Sequence, residues 1–129
     1  MKDPIGILIY GYKREDAFRI RDTFDRALND SIFVISASGK EDWLIADILD
    51  NGPEDFYEEK EDKIIMFLAF NKEQVDAVLN NFPSPDIVRP IFCGLTVQNI
   101  QWILNHLIEH LKAEHRQWTH GKLSVKEEP

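Results

Sequence analysis

Short apolar runs alternate along this chain with longer stretches in which apolar residues recur at helical spacing. The short runs predict four strands, at residues 5–10, 31–36, 63–70 and 88–93. The longer stretches predict four helices, at residues 13–28, 38–50, 71–82 and 96–117. This alternation is typical of an α/β protein, here built from two βαβα halves.

The predicted strands are almost continuously apolar and do not alternate between apolar and polar residues. Strands of this kind are covered on both faces, which favours a four-stranded, mainly parallel sheet. An acidic connector at residues 53–62 separates the halves and is long enough to reverse the third strand. A ferredoxin-like α+β core with extra helices is therefore the alternative.

A shared pattern of apolar positions relates the two halves. Four aligned pairs carry it: Ile7 with Ile65, Ala17 with Val75, Ile20 with Val78, and Phe24 with Phe82. Any two βαβα units share part of such a pattern, so a true duplication stays open. The predicted organisation is one α/β domain at 1–118, with a pseudo-repeat at 1–52 and 63–118, followed by a polar flexible tail at 119–129.

Local signals mark several element ends. Two pairs have the spacing of a capping box at the start of a helix, Ser38 with Glu41 and Asn71 with Gln74. Pro90 cannot donate a hydrogen bond to a neighbouring strand, so the fourth strand is predicted to lie at an edge of the sheet.

Composition and charge narrow the class of protein. The chain of 129 residues has a formal net charge of −8, which argues against binding to nucleic acid or anionic membranes. No segment approaches the roughly 20 apolar residues of a membrane-spanning helix, and the amino terminus does not fit a signal peptide. The single cysteine, Cys93, cannot form an internal disulfide. We expect a cytoplasmic protein.

The second half carries a motif at residues 89–96, Arg-Pro-Ile-Phe-Cys-Gly-Leu-Thr, followed by Asn99 and Trp102 and then by Leu104 and Leu107. This motif resembles the prokaryotic domain-of-unknown-function family 3783, in which an arginine-proline strand likewise precedes a threonine, an asparagine and a tryptophan. The resemblance covers about residues 63–111. It supports the fold and implies no activity, ligand or partner.

The known catalytic patterns are missing from the sequence. The Gly-Lys pair before Glu41 lacks the hydroxyl residue that ends a phosphate loop, and no Gly-x-Gly-x-x-Gly follows a strand. His106 and His110 are four residues apart, but Leu107 occupies the place of the glutamate in the zinc-protease pattern. We predict no catalytic residue, no cofactor and no metal.

Polar residues follow the predicted strands, whose carboxyl ends would converge at one edge of a parallel sheet. They offer hydroxyl, amide and lysine groups without a histidine or paired carboxylates, which suits an anionic metabolite better than acid-base chemistry. The candidate ligand-binding residues are Ser36, Ser38, Lys40, Thr96 and Asn99, with Gly11, Tyr12, Lys13 and Asn71 nearby. A small-ligand binding domain or a minor enzyme is thus one functional hypothesis.

Trp102 is the residue that the predicted fold does not explain. On a helical wheel it lies nearly opposite the apolar stripe of the last helix, and His106 and His110 follow on its side. A large aromatic residue in that place is either covered by the connector or the tail, or belongs to a contact surface. The leading hypothesis is a non-enzymatic interaction or regulatory module whose last helix binds a protein partner or a second copy.

Overall fold

The computed structural model describes residues 4–125, and describes side chains as far as residue 116. Strand and helix alternate as predicted. The elements are β1 (Gly6–Tyr10), α1 (Arg14–Leu28), β2 (Phe33–Ser36), α2 (Ile45–Asn51), β3 (Ile64–Leu68), α3 (Lys72–Asn80), β4 (Ile91–Gly94) and α4 (Leu104–Val125).

The sheet is open and mixed, with the strand order β2-β1-β3-β4. Each outer pair, β1 with β2 and β3 with β4, is parallel, whereas the central pair of β1 and β3 is antiparallel. The prediction of a mainly parallel sheet is therefore wrong, because the acidic connector does turn the chain around before β3. The ferredoxin-like alternative is also not found, since a split βαβ unit would hold another strand between β1 and β2.

Helices cover both faces of the sheet, which explains why the strands read as continuous apolar runs. On one face α1 and α3 bury Phe24 and Val78 against side chains such as Ile7 and Ile65. On the other face α2 and α4 bury their own apolar residues against the alternate strand positions, such as Leu8. Two cores thus lie on either side of one sheet.

The two halves occupy matching places around the central strand pair. Leu8 pairs with Met66 at its middle, and the outer pairs share one register, in which Gly6 faces Phe33 and Ile64 faces Ile91. Of the aligned apolar pairs, Ile7 and Ile65 therefore occupy corresponding strand positions. A common origin of the halves stays a prediction.

Some predicted element ends are confirmed. Asn71 Oδ1 accepts a hydrogen bond from the Gln74 N–H, and Gln74 Oε1 accepts one from the Asn71 N–H, both at 2.8 Å. This is the reciprocal capping box that the sequence predicts. Pro90 directly precedes β4, which lies at an edge of the sheet.

The predicted starts of the second and fourth helices are wrong. Residues 38–44 form a turn and an extended step before α2, so Ser38 does not cap a helix. Likewise α4 starts at Leu104 and not at Thr96. It continues to Val125, through much of the segment predicted as a tail at 119–129, whose last residues, 126–129, lie outside the described part.

A short backbone bridge explains why both helices begin later in the sequence than predicted. Leu44 and Ile103 pair in an isolated antiparallel bridge between the segments that enter α2 and α4. The Ile45 N–H donates to the Trp102 carbonyl, and the Leu104 N–H donates to the Trp43 carbonyl, both at 2.8 Å. Each segment thereby satisfies a free N–H in the first turn of the other helix, which a side-chain cap would otherwise do.

Candidate functional site

Ser36 and Ser38, two of the predicted ligand-binding residues, hold the acidic connector. Both side chains are buried. The Ser36 hydroxyl donates to the Phe56 carbonyl, and the Ser38 hydroxyl accepts a hydrogen bond from the Glu58 N–H at 3.0 Å. Their polar groups thus contact the protein's own chain.

Lys40 is engaged in the same way. Its side chain is 6% exposed, and its ammonium group forms an ion pair with Glu54 of the connector. The hydrogen bond from Lys40 is the main reason why the pKa of the Glu54 carboxyl lies below its usual value. Lys40 Nζ also lies 5.4 Å from the ring centre of Trp43. The lysine has a charged partner and an aromatic neighbour without any ligand.

Thr96 and Asn99 bind each other. The Thr96 N–H donates to Asn99 Oδ1 and the Asn99 N–H donates to Thr96 Oγ1, both at 2.9 Å. Asn99 Nδ2 also donates to the Gly94 carbonyl at 3.0 Å. These bonds close the turn that leads from β4 into a short 3₁₀ segment, Asn99–Gln101.

The structure does not bring the predicted ligand set together. Because β1 and β3 are antiparallel, β2 and β4 run in opposite directions, and their carboxyl ends lie at opposite ends of the sheet. Ser36, Ser38 and Lys40 follow β2 at one edge, as Gly11, Tyr12 and Lys13 follow β1, whereas Thr96, Asn99 and Asn71 belong to the other. The single convergent edge on which the ligand hypothesis depended does not exist in this sheet.

Trp102 lies outside the helix on whose wheel it was placed. It sits in extended backbone two residues before α4, and its half-buried side chain packs on the α2/α4 core. Its ring centre lies 4.6 Å from that of His106 and 4.9 Å from that of His110, and both histidines are exposed. Part of the surface of Trp102 is therefore covered by histidine side chains of α4.

Three of the exposed apolar residues belong to the two bridged segments. Trp43, Leu44 and Ile103 are each 40% exposed, and with Trp102 they form what we call the bridge patch. Leu44 and Ile103 fall within the helices predicted at 38–50 and 96–117, but the bridge places both directly before the helices begin. Comparison of Trp-Leu-Ile at 43–45 with Trp-Ile-Leu at 102–104 is the sequence signal that would have revealed the patch.

The described side chains offer little for catalysis. Burial is the main cause that raises the pKa of the Cys93 thiol to about 12, so the reactive thiolate is scarce at neutral pH. Within residues 4–116 no three histidine, cysteine or carboxylate side chains gather in a group able to hold a metal ion. Among the described helices, none has the length and apolar character needed to cross a membrane.

Comparison with known proteins gives one match. The model of a family described as a domain of unknown function (DUF3783) matches residues 63–117, the second half of the chain from β3 into α4. This match agrees with the motif at residues 89–96 and carries no activity. Neither the curated proteins nor the solved structures contain a match.

Proposed function

We propose that this domain is a non-enzymatic interaction module that associates with a second copy of itself through the bridge patch. The observation that supports the proposal is the exposure of Leu44 and Ile103, which pair where the chain enters α2 and α4. Side chains that meet across such an antiparallel bridge lie next to each other, so the two form one apolar surface and not two isolated residues.

Two tryptophans directly precede the bridge residues in the chain. Trp43 and Trp102 flank the bridge on its two segments, and tryptophan is among the residues that contribute most to the binding energy of protein interfaces. Contiguous apolar surface of this kind marks interaction sites more often than scattered exposed residues do. The patch fits an interface better than it fits a pocket.

The symmetry of the patch favours a second copy as the partner. The bridge is formed by corresponding segments of the two halves, and a two-fold dimer uses the same patch on both subunits. Asp47 on α2 and His106 on α4 hold corresponding positions after the bridge and are both exposed. A dimer that sets α2 of one copy on α4 of the other would place acidic Asp47 opposite His106.

Sedimentation over the micromolar to millimolar range tests the proposal. We expect the wild-type chain to dimerise with rising concentration, and Leu44→Glu to remain monomeric because a carboxylate would be buried at the centre of the interface. Val97→Glu is the matched control, since Val97 is 83% exposed and lies outside the patch. A wild-type chain that stays monomeric, or a Leu44→Glu chain that dimerises as well as the control, would refute the proposal.

A further inference from the structure

A second surface lies on the opposite face of the sheet, beside the edge strand β4. A groove of about 600 Å³ runs between β4 and α3. Its lining is almost wholly apolar: Phe67, Ala69, Phe70, Val75, Leu79, Phe92, Cys93, Gly94 and Leu95. The lining comes from β3, α3, β4 and their adjoining loops, and no more distant segment of the described chain contributes to it.

The first half has a corresponding groove, of about 450 Å³, between β2 and α1. Arg21 and Val34 line it at the positions that Leu79 and Phe92 occupy in the second half. Here, however, the acidic connector supplies an additional wall through residues 53–55 and Tyr57. The connector thus covers one of two corresponding edges of the molecule.

Contacts of the connector show what chemistry such an edge accepts. Tyr57 packs edge-on against Phe18 of α1, with ring centres 5.9 Å apart. Asp55 pairs with Arg14, whose Nε lies 3.0 Å from Asp55 Oδ1. An aromatic side chain and a carboxylate from a segment that is neither helix nor strand therefore hold this edge.

The edge of β4 presents free backbone groups. Ile91 and Leu95 donate their N–H groups to carbonyl oxygens on the β3 side, at 2.9 and 3.4 Å. Because bonded and unbonded residues alternate along a strand in a parallel pair, the N–H groups of Phe92 and Gly94 face away from β3. An added strand could accept both.

Gly94 leaves room for a ligand, and Arg89 offers it a positive charge. Gly94 occupies the position that corresponds to Ser36, and a Cβ built on it would meet nothing within 4 Å. The Arg89 guanidinium lies over the rings of Phe82 and Phe92, 5.7 and 5.3 Å from their centres. No carboxylate of the described chain forms a salt bridge with Arg89.

We infer that the groove beside β4 binds an extended peptide segment of a protein partner, which adds a strand to the sheet, places an aromatic side chain in the groove and pairs a carboxylate with Arg89. This site is separate from the bridge patch, which lies on the other face of the sheet. The chemistry of the occupant follows from the connector at the corresponding edge and from the positive charge of Arg89.

A synthetic peptide with the sequence of residues 52–59, Gly-Pro-Glu-Asp-Phe-Tyr-Glu-Glu, is the probe. Titration into the labelled full chain at physiological ionic strength, where charges are screened beyond about 8 Å, should shift the backbone amides of Phe92 and Gly94. A peptide with alanine in place of both aromatic residues should bind at least about tenfold more weakly, because it lacks the apolar area of the rings that the groove would bury.

Substitutions on the protein locate the site. Gly94→Glu fills open space and repels the carboxylates, so it should weaken binding at least about tenfold, and Arg89→Gln should weaken it about three- to tenfold. Asn105→Glu adds the same charge on α4, at the other face, and should bind like the wild type. The amide spectrum of each variant confirms that it folds.

Three results would overturn the inference. The first is equal binding of the aromatic and alanine peptides, and the second is a Gly94→Glu chain that binds as well as Asn105→Glu. The third is self-association that Gly94→Glu abolishes and Leu44→Glu does not, which would identify a second copy as the occupant of this groove.

Discussion

Ser36→Ala tests whether the polar residues after β2 serve the fold or a ligand. The Ser36 side chain is fully buried and makes two hydrogen bonds, one donated to the Phe56 carbonyl and one accepted from the Ser38 N–H at 3.3 Å. Alanine removes both and leaves the backbone unchanged. If these residues hold the connector, the substitution destabilises the domain even though no ligand is present.

The expected loss of stability depends on whether each former hydrogen-bond partner of Ser36 can find another. Phe56 is 52% exposed, so its carbonyl can bind water instead, at a small cost. Ser38 is 3% exposed, so its N–H stays buried without an acceptor, which costs about 1–3 kcal/mol. We expect a total near 2 kcal/mol in the free energy of unfolding, which lowers the Tm by roughly 6–10 °C for a chain of this length.

Urea unfolding followed by circular dichroism measures this loss, and limited digestion with a glutamate-specific protease reports on the connector. We expect faster cleavage at Glu58 and Glu59, because a loosened connector opens locally more often. Ser31→Ala is the control: Ser31 is exposed, and its change should stay within about 0.5 kcal/mol. Equal stability and equal cleavage of the two variants would refute the structural role of Ser36.

Two further predictions concern stability. Gly11→Ala should lower the free energy of unfolding in urea by more than about 3 kcal/mol, because Gly11 has a φ of +93° and a Cβ there would lie 2.1 Å from the Asp62 carbonyl oxygen. Gly52→Ala is the control: its φ is +80° but a Cβ would meet nothing within 4 Å, so the loss should be only about 1 kcal/mol, and equal losses would refute the steric argument. Stability should fall as the pH rises from 9.0 towards about 12, because the unfolded chain releases the Cys93 proton at the lower pH and the folded chain at the higher one. Because burial also raises the pKa of Tyr10, Tyr12 and Tyr57 above 10.0, Cys93→Ala should remove the fall that begins at pH 9.0 and leave the fall above pH 10. An unchanged dependence between pH 9 and 10 in urea unfolding would contradict the assignment.

The sequence predicts those parts of the fold that short-range rules determine. The capping box at Asn71 forms because its side chain and that of Gln74 need only the first turn of α3. Pro90 lies next to an edge strand because a residue without an N–H group cannot bond to strands on both sides. The order of strands and helices follows from apolar spacing in the same way.

Long-range contacts determine what the sequence does not predict. Ser38 and Glu41 have capping-box spacing, but the Ser38 hydroxyl accepts its hydrogen bond from the Glu58 N–H, twenty residues away. The helix α2 begins only at Ile45, whose N–H donates to the Trp102 carbonyl. The direction of β3 also depends on where the connector packs, which apolar periodicity does not encode. The predicted ligand residues lie at two ends of the sheet for this reason, since bringing them together required a parallel centre of the sheet.

The difference between the two halves indicates where function is to be sought. In the first half, Ser36, Ser38 and Lys40 have partners because the connector returns across the β2 edge. In the second half the described chain continues into α4 and supplies no segment that covers the β4 edge, and the position of Ser36 is taken by Gly94, next to open space. The polar residues after β2 thus contact the connector, whereas the apolar edge of β4 is the one that the described chain leaves accessible.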